Sequence, residues 1–441
     1  MDSEKTVNSS KNENKNNRGK RILPVIIQIA LPVLYLVLFY FTAGYIAGYP
    51  FPQVVEAGHH HLQYPPESAK YAALYSALLM LGFVILVQFV VIKNFTGFKK
   101  GLLIFLTVLI FFAGIEYTLK LHLSRSVSRY RPHPQLLWEL RPGKQMPGTV
   151  INSQGLRCAE FPVEKEPGEY RILLIGDSSA FGAGIDDGFR FSDILENKLR
   201  AEYPQRKIRV INGAVEGYSI YLARKLYELK LRKYNPDCLI ISFNNDPNAD
   251  IMQDRDRLPP EWIVPFYTVL YKSDLFLLLK KLTLNRFLET EQGRQVWERN
   301  RNHKMESRVS DDDISSCYAW FINEMKRNGG QTIIIAMPLP EKGMGRDELT
   351  KFTLEAGEKN TLDTKSSMGK EITYRLLLKK TAKENEGLFL DIYSQWRKEK
   401  DNNSLFIDHV HPVKEGHAMI AEELNKLIID NRLITNQKND R

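Results

Sequence analysis

The amino-acid sequence predicts an α/β protein, a parallel sheet covered by helices on both faces and preceded by membrane-spanning helices. Three observations carry this. From residue 171 onward, short apolar runs alternate with amphipathic segments of helical period. Those runs are apolar throughout instead of alternating with polar residues, as strands buried on both faces require. Residues 22–122 hold apolar runs of another kind, long enough to cross a bilayer.

The elements follow in order. Residues 1–21 are rich in Asn, Lys and Ser with almost no apolar content, so they cannot offset the entropy of ordering and are expected to form a disordered basic tail. The run 22–49 is broken only by Pro24, Pro32 and small or weakly polar residues. It exceeds the roughly 20 residues a span needs and the roughly 7–15 of a cleaved leader, so it reads as a retained span. A second run, 71–92, has no charged residue, and a third, 102–119, has one acid, Glu116, read as an interfacial carboxylate in preference to a buried functional acid. The tail and the turn carrying Lys93, Lys99 and Lys100 are basic, whereas the loop 50–70 has only Lys70. The positive-inside rule therefore puts tail and turn in the cytoplasm, and three crossings put everything after about residue 123 outside it; two crossings would reverse this. His59, His60 and His61 are adjacent and converge poorly on one ion, so they read as a solvated loop.

Beyond this membrane region (22–123), residues 124–170 form a turn-rich connector with Arg125, Arg129 and Arg131, in which 152–157 reads as an ordered lead-in to the first strand. The domain proper is expected over 171–432 and a flexible tail over 433–441. Strands are expected at 171–175, 207–211, 237–243, 331–337 and 388–392, and helices at 189–203, 219–233, 315–328, 368–385 and 414–429. An insertion at 247–313 breaks the rhythm. Its Trp262, Phe266, Tyr267, Tyr271 and Leu-rich 275–282 predict helices that form a lid or lie against the membrane surface.

The net charge of +9 comes without a basic helix bearing interleaved base-reading residues. No nucleic-acid partner is expected; basic loops beside a bilayer account for the excess. Cys158, Cys238 and Cys317 follow no metal-ligand spacing, and at most one disulfide can form among three.

Four clusters fall at the ends of successive strands, where a doubly wound sheet gathers its ligand-binding groups. The first strand breaks at Gly176 into Asp177, Ser178 and Ser179. A serine on such a turn either caps the next helix or stands exposed beside backbone N–H groups as a nucleophile. After the second strand, Gly217 is either a turn residue or a backbone oxyanion donor. After the third, Asn245 can donate its side-chain amide, with Asp246 to hold it. Before the last helix, Asp408 and His411 are spaced so that the carboxylate accepts from Nδ1 while Nε2 faces the serine. His409 and His417 read as surface residues. No acid or cysteine cluster completes a metal shell around this loop.

The ordered set Gly176-Asp177-Ser178-Ser179, Gly217, Asn245-Asp246 and Asp408-His409-Val410-His411 resembles the SGNH hydrolases, also called the GDSL esterase/lipase family. The resemblance spans about 170 to 429. It implies a three-layer α/β/α, flavodoxin-like sheet and needs neither metal nor organic cofactor. Ser178 is then the nucleophile, His411 the base and Asp408 its orienter. The Ser178 N–H, the Gly217 N–H and the Asn245 side chain form the oxyanion hole, and Asp177 and Asp246 are structural. Ser179 stands where the family usually has leucine, and Phe243 where a glycine usually precedes the Asn-Asp pair; the membrane region lies outside the pattern. The expectation is a membrane-anchored esterase acting on an O-acyl, chiefly acetyl, ester of an extracytoplasmic glycan or lipid. An O-acyltransferase acting on a cell-surface polysaccharide and a non-catalytic membrane assembly or glycan-binding protein are the other readings.

Overall fold

The computed structural model describes residues 30–43, 68–125, 129–244, 246, 249–250, 253–295, 306–338, 364–396, 402–408 and 410–434. The chain divides into two compact units, one holding the amino-terminal helices together with Val269–Asn285, the other beginning at Arg129.

In the first unit, α1 (Ala30–Ala43) is the described part of the first apolar run, and α2 (Ser68–Val90) and α3 (Gly97–Arg125) are long and apolar enough to cross a membrane. Polar side chains on these helices find partners on one another, as an apolar surrounding demands. Ser76 Oγ lies 3.0 Å from Thr118 Oγ1, and Ser68 Oγ 3.0 Å from His122 Nε2. A Cβ on Gly114 would meet Met80 Sδ at 2.7 Å, so the absence of a side chain lets α2 and α3 close up.

The second unit is the expected α/β sheet. Its strands are β1 (Glu169–Gly176), β2 (Lys207–Asn212), β3 (Cys238–Ser242), β4 (Gln331–Ala336) and β5 (Leu388–Asp391). All pair in parallel, in the order β5-β4-β3-β1-β2. All eight residues of β1 are buried, which is why its sequence shows no alternation. The order reverses beside β1, so its carboxyl end lies at the switch point where such sheets bind ligands. The helices that follow α3 include, in chain order, α4 (Ser178–Phe181), α5 (Phe191–Glu202), α6 (Ile220–Leu226), α7 (Asp274–Leu288), most of which lies in the first unit, α8 (Asp311–Arg327), α9 (Thr364–Glu384) and α10 (Lys414–Asp430). α5 packs on α10, and α8 packs on α6 and α9, which gives the two helical layers.

Three boundaries differ from expectation. The second unit starts at Arg129 rather than 171, because the connector is ordered: Tyr130–His133 pairs with Leu137–Leu140, and Trp138, Leu140, Ile151, Leu156 and Phe161 join the sheet's own core. Buried Arg171 fastens it, donating to the carbonyls of Pro162, Val163 and Glu164 as well as to Glu169. Ile434, expected in a flexible tail, is buried in the same core. The insertion is helical as expected, closed at its base by Ala249–Asp250 pairing with Glu306–Ser307, but α7 belongs to the first unit. Leu277 and Leu278 are buried there against Ala69, Ile115, Leu119 and Leu123.

Glu116, read as an interfacial carboxylate, also has a structural task. It accepts from the N–H groups of Asp274 and Leu275 and from Ser273 Oγ, each at 2.9 Å, and so caps the amino terminus of α7 from another helix. The basic tail, the three adjacent histidines and residues 435–441 lie outside the described residues.

Candidate active site

The site is built first from a turn that only glycine can make. A Cβ on Gly176 would lie 2.3 Å from the Ser242 carbonyl oxygen and 2.4 Å from Ala180 Cβ. Bare backbone lets α4 start directly off β1. Asp177 caps that helix, accepting from the Ser179 N–H at 3.0 Å with one oxygen and from the Asn244 N–H at 2.7 Å with the other. The buried carboxylate thereby joins the ends of β1 and β3. Ser178, the first residue of α4, has an N–H without an intrahelical acceptor, as an oxyanion donor requires.

The second half arrives from the carboxyl end of the chain and organises itself locally. Asp408 Oδ1 accepts from the N–H groups of Val410 and His411 at 2.9 and 2.8 Å, and Oδ2 lies 2.6 Å from His411 Nδ1. The ionised carboxylate only accepts, so Nδ1 carries the proton and Nε2 is the free base. Nε2 lies 2.8 Å from Ser178 Oγ. Ser179 Oγ donates to the Val410 carbonyl at 3.2 Å, a second tie between the two loops.

The charges match these roles. Partial burial pushes the Asp408 carboxyl up, but the donors on His411 and the two backbone N–H groups outweigh it and hold the group well below the carboxylate range. Burial pushes His411 down, while the hydrogen bond and charge of Asp408, with help from Asp177 and Glu216, leave it raised above its ordinary value of 6.5. A base stabilised in its protonated form is what proton transfer from a serine needs.

Of the expected oxyanion donors, Gly217 sits in a turn at φ +76, a conformation that favours glycine. The Val215 N–H donates to the Gly176 carbonyl at 3.0 Å and sets this turn beside the serine turn. Asn245 lies outside the described residues. Its neighbour Asp246 is fully buried and accepts from the Ile220 N–H and from Tyr374 Oη, both at 2.7 Å. Burial pushes that carboxyl up to about 7. Phe243, where the family pattern has glycine, fills core space at the end of β3.

Two clamps were invisible to sequence reasoning. Glu216, next to Gly217, is gripped by Arg129 (Nη2 to Oε1 at 2.7 Å) and by the Tyr130 hydroxyl, while its carbonyl accepts from Trp138 Nε1 at 3.1 Å. Arg157, buried, donates to the carbonyls of Phe181, Gly182, Ile185 and Gly148 and to Asp187, and its guanidinium sits 4.6 Å from the centre of the Phe181 ring. The connector thus holds both turns that carry the nucleophile and the Gly217 amide. The one available signal was a lone arginine at 157 in an otherwise uncharged turn.

His417 is a correction. Expected at the surface, it is buried, its Nδ1 accepts from the Phe191 N–H at 3.1 Å, and its ring stacks on Phe191. Burial pushes its pKa down to about 3, so it stays neutral and structural. His409 lies outside the described residues. The three cysteines are unpaired, and the described residues include no group of three His, Cys, Asp or Glu that could hold a metal ion.

No protein-family model matches the chain, and no curated protein matches it. Several solved structures do. Axe2, an acetylxylan esterase from Geobacillus stearothermophilus, is 17% identical, with 62% of this chain and 97% of that one covered and a TM-score of 0.35. LAE5, an alpha/beta hydrolase enzyme from the metagenome of Lake Arreo, Spain, is 13% identical, with 60% and 97% covered and a TM-score of 0.36. TesA is 10% identical, with 60% and 99% covered and a TM-score of 0.35. At this level of likeness, what the chain does must be read from its own site.

Proposed function

We propose that this chain is a membrane-anchored serine esterase of the SGNH type that cleaves an O-acyl ester, most simply an acetyl group on a glycan or lipid outside the cytoplasm. One observation carries the reading: Asp408, His411 and Ser178 form a continuous hydrogen-bonded relay of 2.6 and 2.8 Å between loops 233 residues apart. A helix-capping serine has no need of such a partner.

The chemistry follows from the relay. Nε2 of His411 takes the Ser178 proton as Oγ bonds to the acyl carbon, and the carbonyl electrons move onto oxygen. The N–H groups of Ser178 and Gly217, with the Asn245 amide, receive that oxyanion. As it collapses, the alkoxy leaving group departs with the proton from His411. Water, deprotonated by the same imidazole, then releases the acyl group as a carboxylic acid and restores Ser178.

The anchor rests on α2 and α3, with α1 within the first apolar run, and the extracytoplasmic placement rests on the Lys and Arg distribution. Ser178→Ala should abolish hydrolysis of an aryl acetate by the full chain; turnover equal to wild type would refute the mechanism. A sugar hydroxyl in place of water would make the same relay an O-acyltransferase, a reading the membrane helices favour. Acetyl transfer to an added glycan acceptor, at the expense of free acetate, would distinguish it.

A further inference from the structure

The oxyanion donor proposed at Gly217 belongs to a peptide that can face two ways. The Tyr218 N–H donates to the Val215 carbonyl at 3.1 Å, Glu216 has no positive φ and Gly217 has φ +76, which together make residues 215–218 a type II turn. A type I turn differs from it only by rotation of the central peptide, the one between Glu216 and Gly217, through roughly 180°. With glycine in the third position no Cβ opposes either form, so the turn by itself holds that peptide weakly. In a trans peptide the C=O and the N–H point in opposite directions. Whatever holds the Glu216 carbonyl therefore decides where the Gly217 N–H points.

That holder is Trp138. Its ring is buried, and its Nε1–H donates to the Glu216 carbonyl at 3.1 Å. The Tyr218 ring meets the indole in a T-shaped contact with centres 5.4 Å apart, and the Tyr218 hydroxyl donates to the Trp138 carbonyl at 2.5 Å. Arg129 and Tyr130, at the start of the same hairpin, grip the Glu216 carboxylate. On the opposite side of the peptide, the Gly217 N–H has no acceptor among the described residues, as a donor kept for a ligand requires. The bond from the Val215 N–H to the Gly176 carbonyl keeps this turn beside Ser178.

We infer that Trp138 is a positioning residue of the oxyanion hole: its indole N–H selects the form of the turn in which the Gly217 N–H faces the acyl oxygen. Without that bond the Glu216–Gly217 peptide turns over, and the Glu216 carbonyl, an acceptor, stands where the developing negative charge needs a donor. The inference rests on the reading of Ser178 as the nucleophile and of Gly217 as an oxyanion donor. Trp138 acts on the reaction only through this one peptide. The ordered connector, which lies outside the four blocks of the family resemblance, thereby gains a part in the chemistry.

The test measures the full chain on an aryl acetate and on the matching aryl thionoacetate, whose sulfur accepts hydrogen bonds from an oxyanion hole only weakly. Two substitutions remove the indole N–H. Trp138→Phe is the simpler; replacing Trp138 alone by benzothienylalanine keeps the bicyclic shape and carries the test if the smaller ring loosens the fold. Each should lower kcat on the acetate by about 10- to 100-fold, short of the roughly 10²- to 10³-fold of losing a donor outright, with KM little changed. The acetate-to-thionoacetate ratio of kcat/KM should shrink by about tenfold, because only the oxygen substrate uses the lost donor fully. A fall in kcat at an unchanged ratio would make Trp138 structural only, and kcat and ratio equal to wild type would mean that the peptide is fixed without it. Either result overturns the inference, while Ser178-dependent hydrolysis by the wild type leaves the catalytic reading standing. Wild-type turnover no higher than that of Ser178→Ala fails the serine mechanism, and this inference falls with it.

Discussion

The two loops that meet at the candidate site are held in opposite ways. The serine turn is fixed by the rest of the molecule. Gly176 has no room for a side chain, Asp177 bonds to the end of β3, and Arg157 reaches from the connector to four carbonyls around residues 148–185. The histidine loop is fixed chiefly by itself, through two backbone N–H groups on Asp408 and the Ile407 N–H on the His411 carbonyl at 2.8 Å. The difference separates stability from chemistry. Damage to the serine turn's supports should destabilise the protein, whereas damage to the histidine loop should silence it while leaving its stability intact.

The sharpest way to break that comparison is at His411. His411→Ala should lower kcat on an aryl ester by about 10⁵- to 10⁶-fold, with a melting temperature close to wild type; a folded variant with substantial activity would detach the loop from the chemistry. Asp408→Asn should lower kcat by about 10⁴-fold, since an amide can still accept from a backbone N–H but no longer holds the Nδ1–H tautomer. The same variant should move the acid limb of the kcat/KM profile downward. In the wild type, that limb should lie on the alkaline side of an ordinary histidine's, because the base acts only when neutral and Asp408 raises its pKa. A limb unmoved by Asp408→Asn would mean that another group titrates.

On the other loop, Arg157→Met should cost about 3 kcal/mol of stability in denaturant unfolding, by leaving four carbonyls and Asp187 without their shared donor. A variant as stable as wild type but inactive would contradict the assignment of Arg157 to structure. The smallest effect belongs to Asp246, below the serine turn. Its folded pKa, raised to about 7, lies above that of an unfolded aspartate, so the folded state binds the proton more tightly. That contribution is complete at pH below about 4 and is lost as pH rises through about 7. Asp246→Asn should therefore flatten the fall in melting temperature between pH 5 and 8; an unchanged slope would place the carboxyl's pKa elsewhere.

Much of this was legible in the sequence because it is local. β1 and β3 announce themselves as unbroken apolar runs, and Asp408 and His411 act through a three-residue spacing. What depended on distant contacts was not legible. Glu116 reads as an interfacial acid, and nothing near it in the sequence tells that the amino terminus of α7, 158 positions on, docks on it. His417 looks like a surface residue of an amphipathic helix until Phe191 stacks on it. Arg157 and Glu216 sit in stretches that read as linker and turn, and their importance lies wholly in what folds against them. The buried apolar side of α7 gave no hint in its pattern that it packs with α2 and α3 rather than on the sheet.

The central claim is that Ser178 is an activated nucleophile. Treating the full chain with a fluorophosphonate and locating the adduct by peptide mass spectrometry tests it directly. The account predicts one modified residue, Ser178, with labelling lost in His411→Ala; a folded wild-type chain that stays unlabelled, or is labelled at another serine, would contradict it.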